Sequence, residues 1–352
     1  MHSKSSKIIT IAGTRPEIVK LSQLVPILNK KYDHELLYTG QHYSNNMKDI
    51  FFDELNMEPD YDLKGNTSDI DILKDNILKV LRVVNPKFVI IYGDTNSTMA
   101  GALAAKEINA KLLHLEAGVR DFDLAVPEEV IRLRIDAIAH HLFCPSELCM
   151  TVLSYEDIIG KLHLTGNLIV DVCRRLSKIA IDIQQPLDID LNDCLLLTLH
   201  RQENTDNRAK LIMLRNHLKV LKHRIIFPVH PRTRESLDRY NIRLPSNVIC
   251  IEPVGYLTFL YLLQKCRLVL TDSGGVQEEA IILNKPCITL RHTSARWETI
   301  LLKANVLFPL DSKDSLNRFI EMMLLRDVSR NPYGENVTKT TLQTIEKILD
   351  SS

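Results

Sequence analysis

The chain has 352 residues, of which 45% are apolar, and its 44 lysines and arginines balance 44 aspartates and glutamates. This length exceeds one ordinary hydrophobic core and predicts two domains, while a net charge of zero argues against a nucleic-acid partner or an acidic membrane surface. No apolar stretch approaches the roughly 20 residues that span a bilayer, and the seven cysteines include no close C-x-x-C pair. Free thiols of this kind are typical of a reducing compartment, so we expect a cytoplasmic protein without membrane insertion.

Short apolar runs alternate with helix-length segments in the first half of the chain. The first run, KIITIAG, precedes a stretch whose apolar residues have the spacing of one helical face: Ile18, Leu21, Leu24, Val25 and Leu28. Pro26 lies inside that stretch and should kink or shorten the helix. The later runs are, in order, HELLYTG, KFVIIYGD, KLLHLEAG, HHLFCPS and KLHLTGN. Continuous apolar strands separated by helices predict a parallel sheet covered on both faces.

A second series of the same kind begins at residue 194. Its runs are CLLLTLH, RIIFPVH, NVICIEP, RLVLTDS, PCITLR and ANVLFPL, and the polar segment 184–193 before it suits a loop. Two series of similar length predict two Rossmann-like α/β domains, the first at residues 1–167 and the second at 168–332. The last apolar residues have helical spacing, which predicts a packed terminal helix at about 333–352.

Ligands of open α/β sheets bind at the carboxyl ends of the strands, so the residues that follow each strand are the candidates for a site. After the first strand, GTRPEIVK brings Gly13 for the turn, the cation Arg15, and Lys20 further along the helix. A plain turn with two surface cations is the alternative for these residues. The missing G-x-G-x-x-G pattern argues against a dinucleotide site of the usual kind.

Two carboxylates end consecutive strands of the first series. Asp94 in GDTNST and Glu116 in EAGVRD would project into one crevice if their strands are neighbours. Capping of the next helix is the alternative for Asp94, and it is weaker for Glu116, which precedes Ala-Gly. A helix beginning at Pro127 should carry Glu128 and Arg132 four residues apart, where a surface salt bridge is the alternative to a catalytic pair.

Histidines end two strands of the second series. His200 and His230 each stand beside an arginine, which favours an anionic ligand near these loops. His163 and the His140-His141 pair lie elsewhere and are expected to be structural. No trio of histidine, cysteine and acidic residues has metal-ligand spacing, so the sequence predicts no structural zinc.

The stretch TDSGGVQEEA lies between a predicted strand and a predicted helix. Ser273, Gly274 and Gly275 would bring backbone N–H groups and a helix N-terminus to one point, which is the geometry of a phosphate site. Glycine lets the backbone approach a ligand closely because it has no Cβ. Glu279, a turn further on, would accept hydrogen bonds from a ribose diol. The alternative is a tight turn followed by an acid that the helix dipole favours.

With these motifs the chain resembles the non-hydrolysing UDP-N-acetylglucosamine 2-epimerases. The resemblance runs nearly end to end and rests on the order and spacing of GTRPEIVK, TGQHY, GDTNST, HLEAGVR, PEEVIR, LTLHRQEN, PVHPRTR, TDSGGVQEEA and TSARWE. It implies the two-domain fold of the GT-B glycosyltransferases, with two Rossmann-like domains facing across a cleft and a C-terminal helix that crosses back to the first domain. It also implies a homodimer.

The resemblance assigns roles to individual residues. The catalytic group that it implies is Asp94, Glu116, Glu128, Arg132 and His200. The substrate-binding group that it implies is Arg15, Lys20, Phe259, Ser273, Gly274, Gly275, Glu279 and Arg296. Within the second group, residues 273–275 match the diphosphate loop, Glu279 the ribose ligand, Arg296 a further cation of the nucleotide site, and Phe259 an aromatic near the uracil.

Four positions depart from the family pattern. Ile131 replaces the asparagine of P-E-E-x-N-R, Val254 stands where many members have glutamine, and Trp297 replaces a common proline. Gln41-His42-Tyr43-Ser44 lacks the second glutamine of the Q-H-R-Q pattern found in bacterial members with a regulatory second substrate site.

The expected chemistry explains why carboxylates and cations are both needed. The proton on C2 of the sugar becomes acidic only once the C1–O bond to UDP breaks, after which a carboxylate removes it to leave a 2-acetamidoglucal. Readdition of UDP with protonation on the other face inverts C2. Carboxylates serve as acid and base while cations hold UDP, and neither a nicotinamide nor a metal is required.

We therefore expect interconversion of UDP-N-acetylglucosamine and UDP-N-acetylmannosamine in polysaccharide biosynthesis. One alternative is the same reaction on another UDP-2-acetamido sugar, in a 6-deoxy or uronate form. The others are a GT-B glycosyltransferase that uses a UDP-sugar and a catalytically silent UDP-sugar-binding regulator.

Overall fold

The structure is a computed structural model that describes residues 7–40, 57–65, 67–182 and 190–351. The Gln41–Ser44 segment and most of the predicted loop at 184–193 lie outside these ranges. The chain divides into two units, Met1–Val172 with Tyr333–Ser352, and Cys173–Pro332. Each unit is built on one parallel β-sheet, so the predicted α/β class with two parallel sheets is confirmed.

The first unit contains a seven-stranded sheet in the order β3-β2-β1-β4-β5-β6-β7, in which all neighbours are parallel. Each of the six predicted runs forms a strand, and the short β3 is additional. The strands are β1 (Ile8–Ala12), β2 (His34–Tyr38), β3 (Tyr61–Asp62), β4 (Phe88–Tyr92), β5 (Lys111–Leu115), β6 (His141–Cys144) and β7 (Lys161–Leu164). The helices up to the unit boundary are α1 (Arg15–Leu21), α2 (Val25–Lys31), α3 (Ile70–Val84), α4 (Asn96–Glu107), α5 (Pro127–Ile138), α6 (Glu147–Ser154) and α7 (Ile169–Asp182).

The predicted first helix is divided into α1 and α2, and Pro26 lies in the first turn of α2. Proline lacks an N–H group and has a fixed φ, so it fits the start of a helix better than its interior. The same reasoning explains Pro16 at the start of α1 and Pro127 at the start of α5.

The second unit contains a six-stranded sheet in the order β10-β9-β8-β11-β12-β13, again parallel throughout. All six predicted runs form its strands: β8 (Cys194–Thr198), β9 (Arg224–Pro228), β10 (Val248–Ile251), β11 (Leu268–Thr271), β12 (Cys287–Thr289) and β13 (Asn305–Leu307). Its helices are α8 (Gln202–Thr205), α9 (Arg208–Lys219), α10 (Pro231–Arg239), α11 (Tyr256–Lys265), α12 (Gly274–Ile282), α13 (Trp297–Leu301) and α14 (Leu316–Leu324).

The terminal helix α15 (Val337–Asp350) belongs to the first unit. Thr338 N donates to Asp171 Oδ2 at 2.7 Å, and Asn167 N donates to Tyr333 O at 3.0 Å. Gly166 has φ +88°, and a Cβ there would lie 2.5 Å from Tyr333 O, so only glycine permits this close approach. The chain therefore returns to the first unit after the second is complete.

The order of the strands in each sheet shows where the loops that could bind a ligand lie. The central strands β1 and β4 are buried at every residue, as expected for a sheet covered on both faces. The chain order reverses between β1 and β4 in one sheet and between β8 and β11 in the other. Such switch points are where ligands bind in open α/β sheets. Among the described residues, no helix is long and apolar enough to cross a membrane.

Candidate active site

A buried ion pair follows β5. Lys20 Nζ lies 2.5 Å from Glu116 Oε2, and their side chains are 9% and 5% exposed. Tyr92 OH, at the end of β4, donates to the same oxygen at 2.7 Å, and Lys20 Nζ lies 5.3 Å from the centroid of the Tyr92 ring. The structure thus brings together Lys20 and Glu116, which the sequence analysis singled out separately. It adds Tyr92, which looked like one more apolar strand residue.

The backbone at Glu116 is strained. Its φ of +69° lies in the left-handed region that non-glycine residues seldom adopt. Such conformations persist where the surrounding contacts hold them, and they cluster at functional sites. Here the contacts from Lys20 and Tyr92 hold the carboxylate that this backbone presents.

Arg132 connects three carboxylates. Its Nε donates to Asp94 Oδ2 at 2.7 Å, and its Nη1 donates to Asp121 Oδ2 at 2.8 Å and to Glu129 Oε2 at 3.1 Å. The guanidinium is almost fully buried, so each of these charges loses hydration that the ion pairs must replace. Asp94 and Arg132 are therefore joined, and Asp121 and Glu129 join them although neither was predicted to belong to the site.

The helix-capping alternative for Asp94 is wrong. Thr95 is the N-cap of α4, and its Oγ1 accepts from Thr98 N at 3.2 Å. Asp94 is left outside the helix with its carboxylate on Arg132, which the local sequence did not distinguish from capping. Glu128 lies in the first turn of α5 and is half-buried, as is Arg15, the first residue of α1.

Glu17 is a buried carboxyl that the sequence analysis passed over. Its Oε2 accepts from Gly13 N at 2.6 Å and from Thr14 N at 3.0 Å, which closes the turn between β1 and α1. Burial raises the pKa of Glu17 to about 7, and the hydrogen bonds offset only part of that effect. The signal that could have revealed it is the spacing of Thr14 and Glu17, which matches a capping box.

Asp272 ties together the loops at the switch point of the second unit. Its fully buried carboxylate accepts from His200 N at 3.1 Å, from Arg201 N at 2.9 Å and from Asn204 Nδ2 at 3.2 Å. The predicted His200 and His230 lie side by side, with ring centroids 5.6 Å apart. Burial lowers the pKa of His200, so its imidazole is neutral at neutral pH.

The glycine loop, residues 273–275, does not have the backbone strain or the close packing that would require glycine in a tight turn. Ser273 is the N-cap of α12, and neither Gly274 nor Gly275 has a positive φ. Apart from its chain neighbours and the backbone of its own helix, no described residue lies within 4 Å of a Cβ built on Gly274, and a Cβ on Gly275 would meet only Ser273 Oγ, at 4.0 Å. Neither backbone strain nor packing within the described chain therefore explains these glycines. Open space over a helix N-terminus matches the phosphate-site interpretation.

Glu279 lies one helical turn beyond the glycine loop and is 7% exposed. Its Oε1 accepts a hydrogen bond of 2.8 Å from Tyr256 OH on α11, a residue that the sequence analysis did not single out. Phe259, on the same helix, is half-buried. Arg296 Nε lies 2.5 Å from Glu278 Oε1, so this cation pairs with the acid that precedes Glu279.

The three histidines that were expected to be structural lie outside these groups. His141 Nδ1 is 3.1 Å from His163 Nε2, and His140 Nδ1 accepts from Leu112 N at 3.0 Å. All seven cysteines are free thiols, and all except Cys250 are buried. Across the described ranges, no group of three histidine, cysteine, aspartate or glutamate side chains is arranged to hold a metal ion.

Comparison with known sequences identifies relatives of this chain. A family model described as UDP-N-acetylglucosamine 2-epimerase matches residues 27–348. The UDP-N-acetylglucosamine 2-epimerase of Methanococcus maripaludis is 41% identical over 94% of this chain and 95% of that protein. The UDP-2,3-diacetamido-2,3-dideoxy-D-glucuronate 2-epimerase of Pseudomonas aeruginosa is 37% identical over 86% of this chain and 88% of that protein.

Comparison with solved structures gives the same result. The crystal structure of the Methanocaldococcus jannaschii UDP-GlcNAc 2-epimerase in complex with UDP-GlcNAc and UDP matches with a TM-score of 0.88. The match covers 97% of this chain and 99% of that chain at 39% sequence identity.

Proposed function

Because the chain belongs to the UDP-N-acetylglucosamine 2-epimerase family, we propose that it interconverts UDP-N-acetylglucosamine and UDP-N-acetylmannosamine by inverting C2. One observation carries the proposal. Asp94 and Glu116 follow the neighbouring strands β4 and β5, and each carboxylate is held by a buried cation, Arg132 or Lys20. Adjacent strands lie only about 5 Å apart, so both carboxylates belong to one reaction centre.

The reaction begins with departure of UDP. The C1–O bond breaks with its electron pair going to the β-phosphate oxygen, and a carboxylate takes the C2 proton, which forms the C1=C2 bond of 2-acetamidoglucal. In the return step the phosphate oxygen adds to C1 and a carboxylic acid delivers a proton to the other face of C2. Two carboxyl groups that exchange roles satisfy both steps, and we assign them to the set Asp94, Glu116 and Glu128.

Lys20 and Tyr92 suit Glu116 for proton transfer. A cation at 2.5 Å stabilises the carboxylate, which is the form that accepts a proton, and the Tyr92 hydroxyl keeps one oxygen oriented. Arg132 does the same for Asp94 while neutralising charge among the neighbouring acids.

We assign the departing UDP to the second unit. The N-terminus of α12 offers room for a ligand to approach the backbone at Gly274, together with N–H groups and the positive end of the helix dipole. Ser273 and Gly275 complete this diphosphate loop, and Glu279 takes the ribose. From the family resemblance we assign His200 a catalytic role, and we assign Arg15, Phe259 and Arg296 to the binding of the nucleotide-sugar.

Deuterium labelling tests the reaction directly. Incubation of UDP-N-acetylglucosamine with the protein in deuterated water should give UDP-N-acetylmannosamine that carries deuterium at C2. Glu116→Gln should slow this incorporation by at least about 100-fold, since general acid–base groups contribute factors of that size. Glu107→Gln is the matched control, because Glu107 is exposed on α4 and pairs with Arg82. Product without deuterium would contradict the elimination mechanism.

A second candidate substrate follows from the Pseudomonas relative, which is named for a diacetamido uronate. The alternative is that this chain inverts C2 of such a UDP-uronate. Comparison of kcat/KM for the two UDP-sugars decides between them, because specificity is the ratio of these constants. We also propose a cytoplasmic homodimer in polysaccharide biosynthesis, and light scattering of the purified chain tests the dimer.

A further inference from the structure

A buried histidine lies beneath the loops that carry the proposed catalytic carboxylates. His114 is the fourth residue of β5 and is 1% exposed. Its Nδ1 lies 2.6 Å from Asp136 Oδ1, and its Nε2 lies 2.8 Å from Gly93 O. A carbonyl oxygen only accepts hydrogen bonds, so Nε2 carries hydrogen and donates to Gly93. Gly93 immediately precedes Asp94, so this bond anchors the loop after β4.

The second oxygen of the same carboxylate reaches the other loop. Asp136 Oδ2 accepts from Gly118 N at 3.1 Å, and Gly118 lies two residues after Glu116. Gly118 has φ +81°, and a Cβ there would lie 2.6 Å from Cys149 O, so the loop is held in a conformation that other residues cannot adopt. One carboxylate is therefore connected to both strand-end loops, through His114 in one case and directly in the other.

Asp136 itself lies on α5, one helical turn after Arg132 and two turns after Glu128. The three elements that meet at Asp136 are the loop after β4, the loop after β5 and α5. These three elements carry Asp94, Glu116 and Glu128, which are all of the proposed catalytic carboxylates.

Neighbouring charges keep this carboxylate ionised although it is completely buried. Burial alone would raise the pKa of Asp136, but His114 and Arg120 together bring it below its ordinary value. Arg120 Nη2 lies 2.8 Å from Asp136 Oδ2, and its guanidinium also forms two hydrogen bonds to Glu156, at 2.9 and 2.6 Å. A buried charge with this many partners is held in one position, because leaving any of them unpaired is costly.

We propose that His114 is a positioning residue: with Asp136 it fixes the relative placement of Asp94, Glu116 and Glu128. This inference rests on the proposed function. A displacement of about 1 Å in catalytic geometry costs on the order of 100-fold in rate. The three carboxylates act on the reacting bonds, so the loss of His114 lowers kcat more than it raises KM.

Two variants separate the two contacts. His114→Phe preserves the ring volume but removes both hydrogen bonds, whereas the amide nitrogen of His114→Gln still reaches Gly93 O and loses Asp136. We expect kcat to fall about 100-fold in the first and about 10-fold in the second, with KM within about 3-fold of wild type. His34→Gln is the matched control, because His34 is a buried strand histidine of the same unit that contacts Thr10 and Asn29.

Crystal structures of the same proteins provide a readout that does not depend on the reaction. In His114→Phe, the Gly93 carbonyl and the Gly118 amide should each be displaced from their wild-type positions. His34→Gln should leave both groups in place. Unmoved loops in His114→Phe, or an unmoved Gly118 amide in His114→Gln if the first does not fold, would overturn the positioning role. So would wild-type kcat in a folded variant. A wild-type protein without C2 exchange would instead overturn the proposed function, while the loop positions would still decide the structural inference.

Discussion

The buried carboxyl of Glu17 makes the stability of the first unit depend on pH. Its two shortest hydrogen bonds come from the N–H groups of Gly13 and Thr14, and Thr98 Oγ1 donates to its other oxygen at 3.3 Å. Glu17→Gln tests this dependence. The amide oxygen of glutamine still accepts from the two N–H groups, and its amide nitrogen donates to Thr98 Oγ1, so the substitution removes the charge and keeps the shape.

The size of the effect follows from the pKa. Glu17 titrates near 4.5 when exposed and at about 7 in the folded chain. Each pKa unit corresponds to about 1.4 kcal/mol, so burying the ionised form costs about 3 kcal/mol at high pH. The folded pKa is raised, so the associated stability is complete below pH 4.5 and is lost as the pH rises through 7. Between pH 5 and pH 8 the wild type should lose about 2 to 3 kcal/mol that Glu17→Gln retains.

Thermal unfolding of both proteins at pH 5 and pH 8 measures this difference. For a unit of this size, 1 kcal/mol corresponds to about 2–4 °C in Tm, so the gap between variant and wild type should change by roughly 5–10 °C in favour of the variant. The contributions of other titrating groups cancel in the comparison, including His34, whose pKa burial lowers to about 4. A gap that is equal at the two pH values would refute the buried-carboxyl reasoning.

Three further substitutions probe the candidate site. Gly274→Ala places its Cβ in open space, so Tm should stay within about 2 °C while calorimetry shows UDP binding weakened by at least about 10-fold; an unchanged Kd would contradict the diphosphate loop. Tyr256→Phe removes the hydroxyl that holds Glu279 and should weaken UDP binding about 5-fold, because one hydrogen bond contributes about 1 kcal/mol. A Kd for UDP equal to that of the wild type would contradict the role of Tyr256. Lys20→Met leaves Glu116 buried without its cation, so urea unfolding should show a loss of about 3 kcal/mol, and wild-type stability would contradict the ion pair.

Most strands were predictable because their apolar runs are continuous. A strand buried on both faces needs apolar residues throughout, and all twelve such runs found in the sequence form strands. The two-residue β3 (Tyr61–Asp62) escaped because it is too short to show periodicity and forms by pairing with β2. The division between α1 and α2 was predictable from Pro26, because a proline affects the backbone of the helical turn in which it lies.

The candidate site was predictable where position in the chain is itself the signal. Asp94 and Glu116 stand directly after apolar runs, so the rule for strand ends found them. Asp272 also follows a strand, but its task depends on the amides of His200 and Arg201, about 70 residues away, and local patterns do not record such pairings.

The charge networks behind the site were hidden for the same reason. Tyr92 resembles its apolar neighbours until the fold brings Glu116 to its hydroxyl, and Glu129 resembles a surface helix residue until Arg132 and the N–H of Asp121 reach it. The partner that the local sequence does not show comes from another element in both cases: Glu116 for Tyr92 and Asp121 for Glu129. The alternative for Asp94 was open because Thr95, one residue later, is an equally good cap.

The return of the chain to its first unit affects how the protein is made. Residues Cys173–Pro332 are translated before α15. The ribosome must therefore add about 160 residues between the end of the first sheet and the start of this helix. At roughly 5–20 residues per second, the nascent first unit waits about 10–30 s without that helix. During this time the surface around Gly166 and Asp171 that later receives Tyr333 and Thr338 is uncovered. The segment that closes the first unit is therefore translated only after the whole second unit.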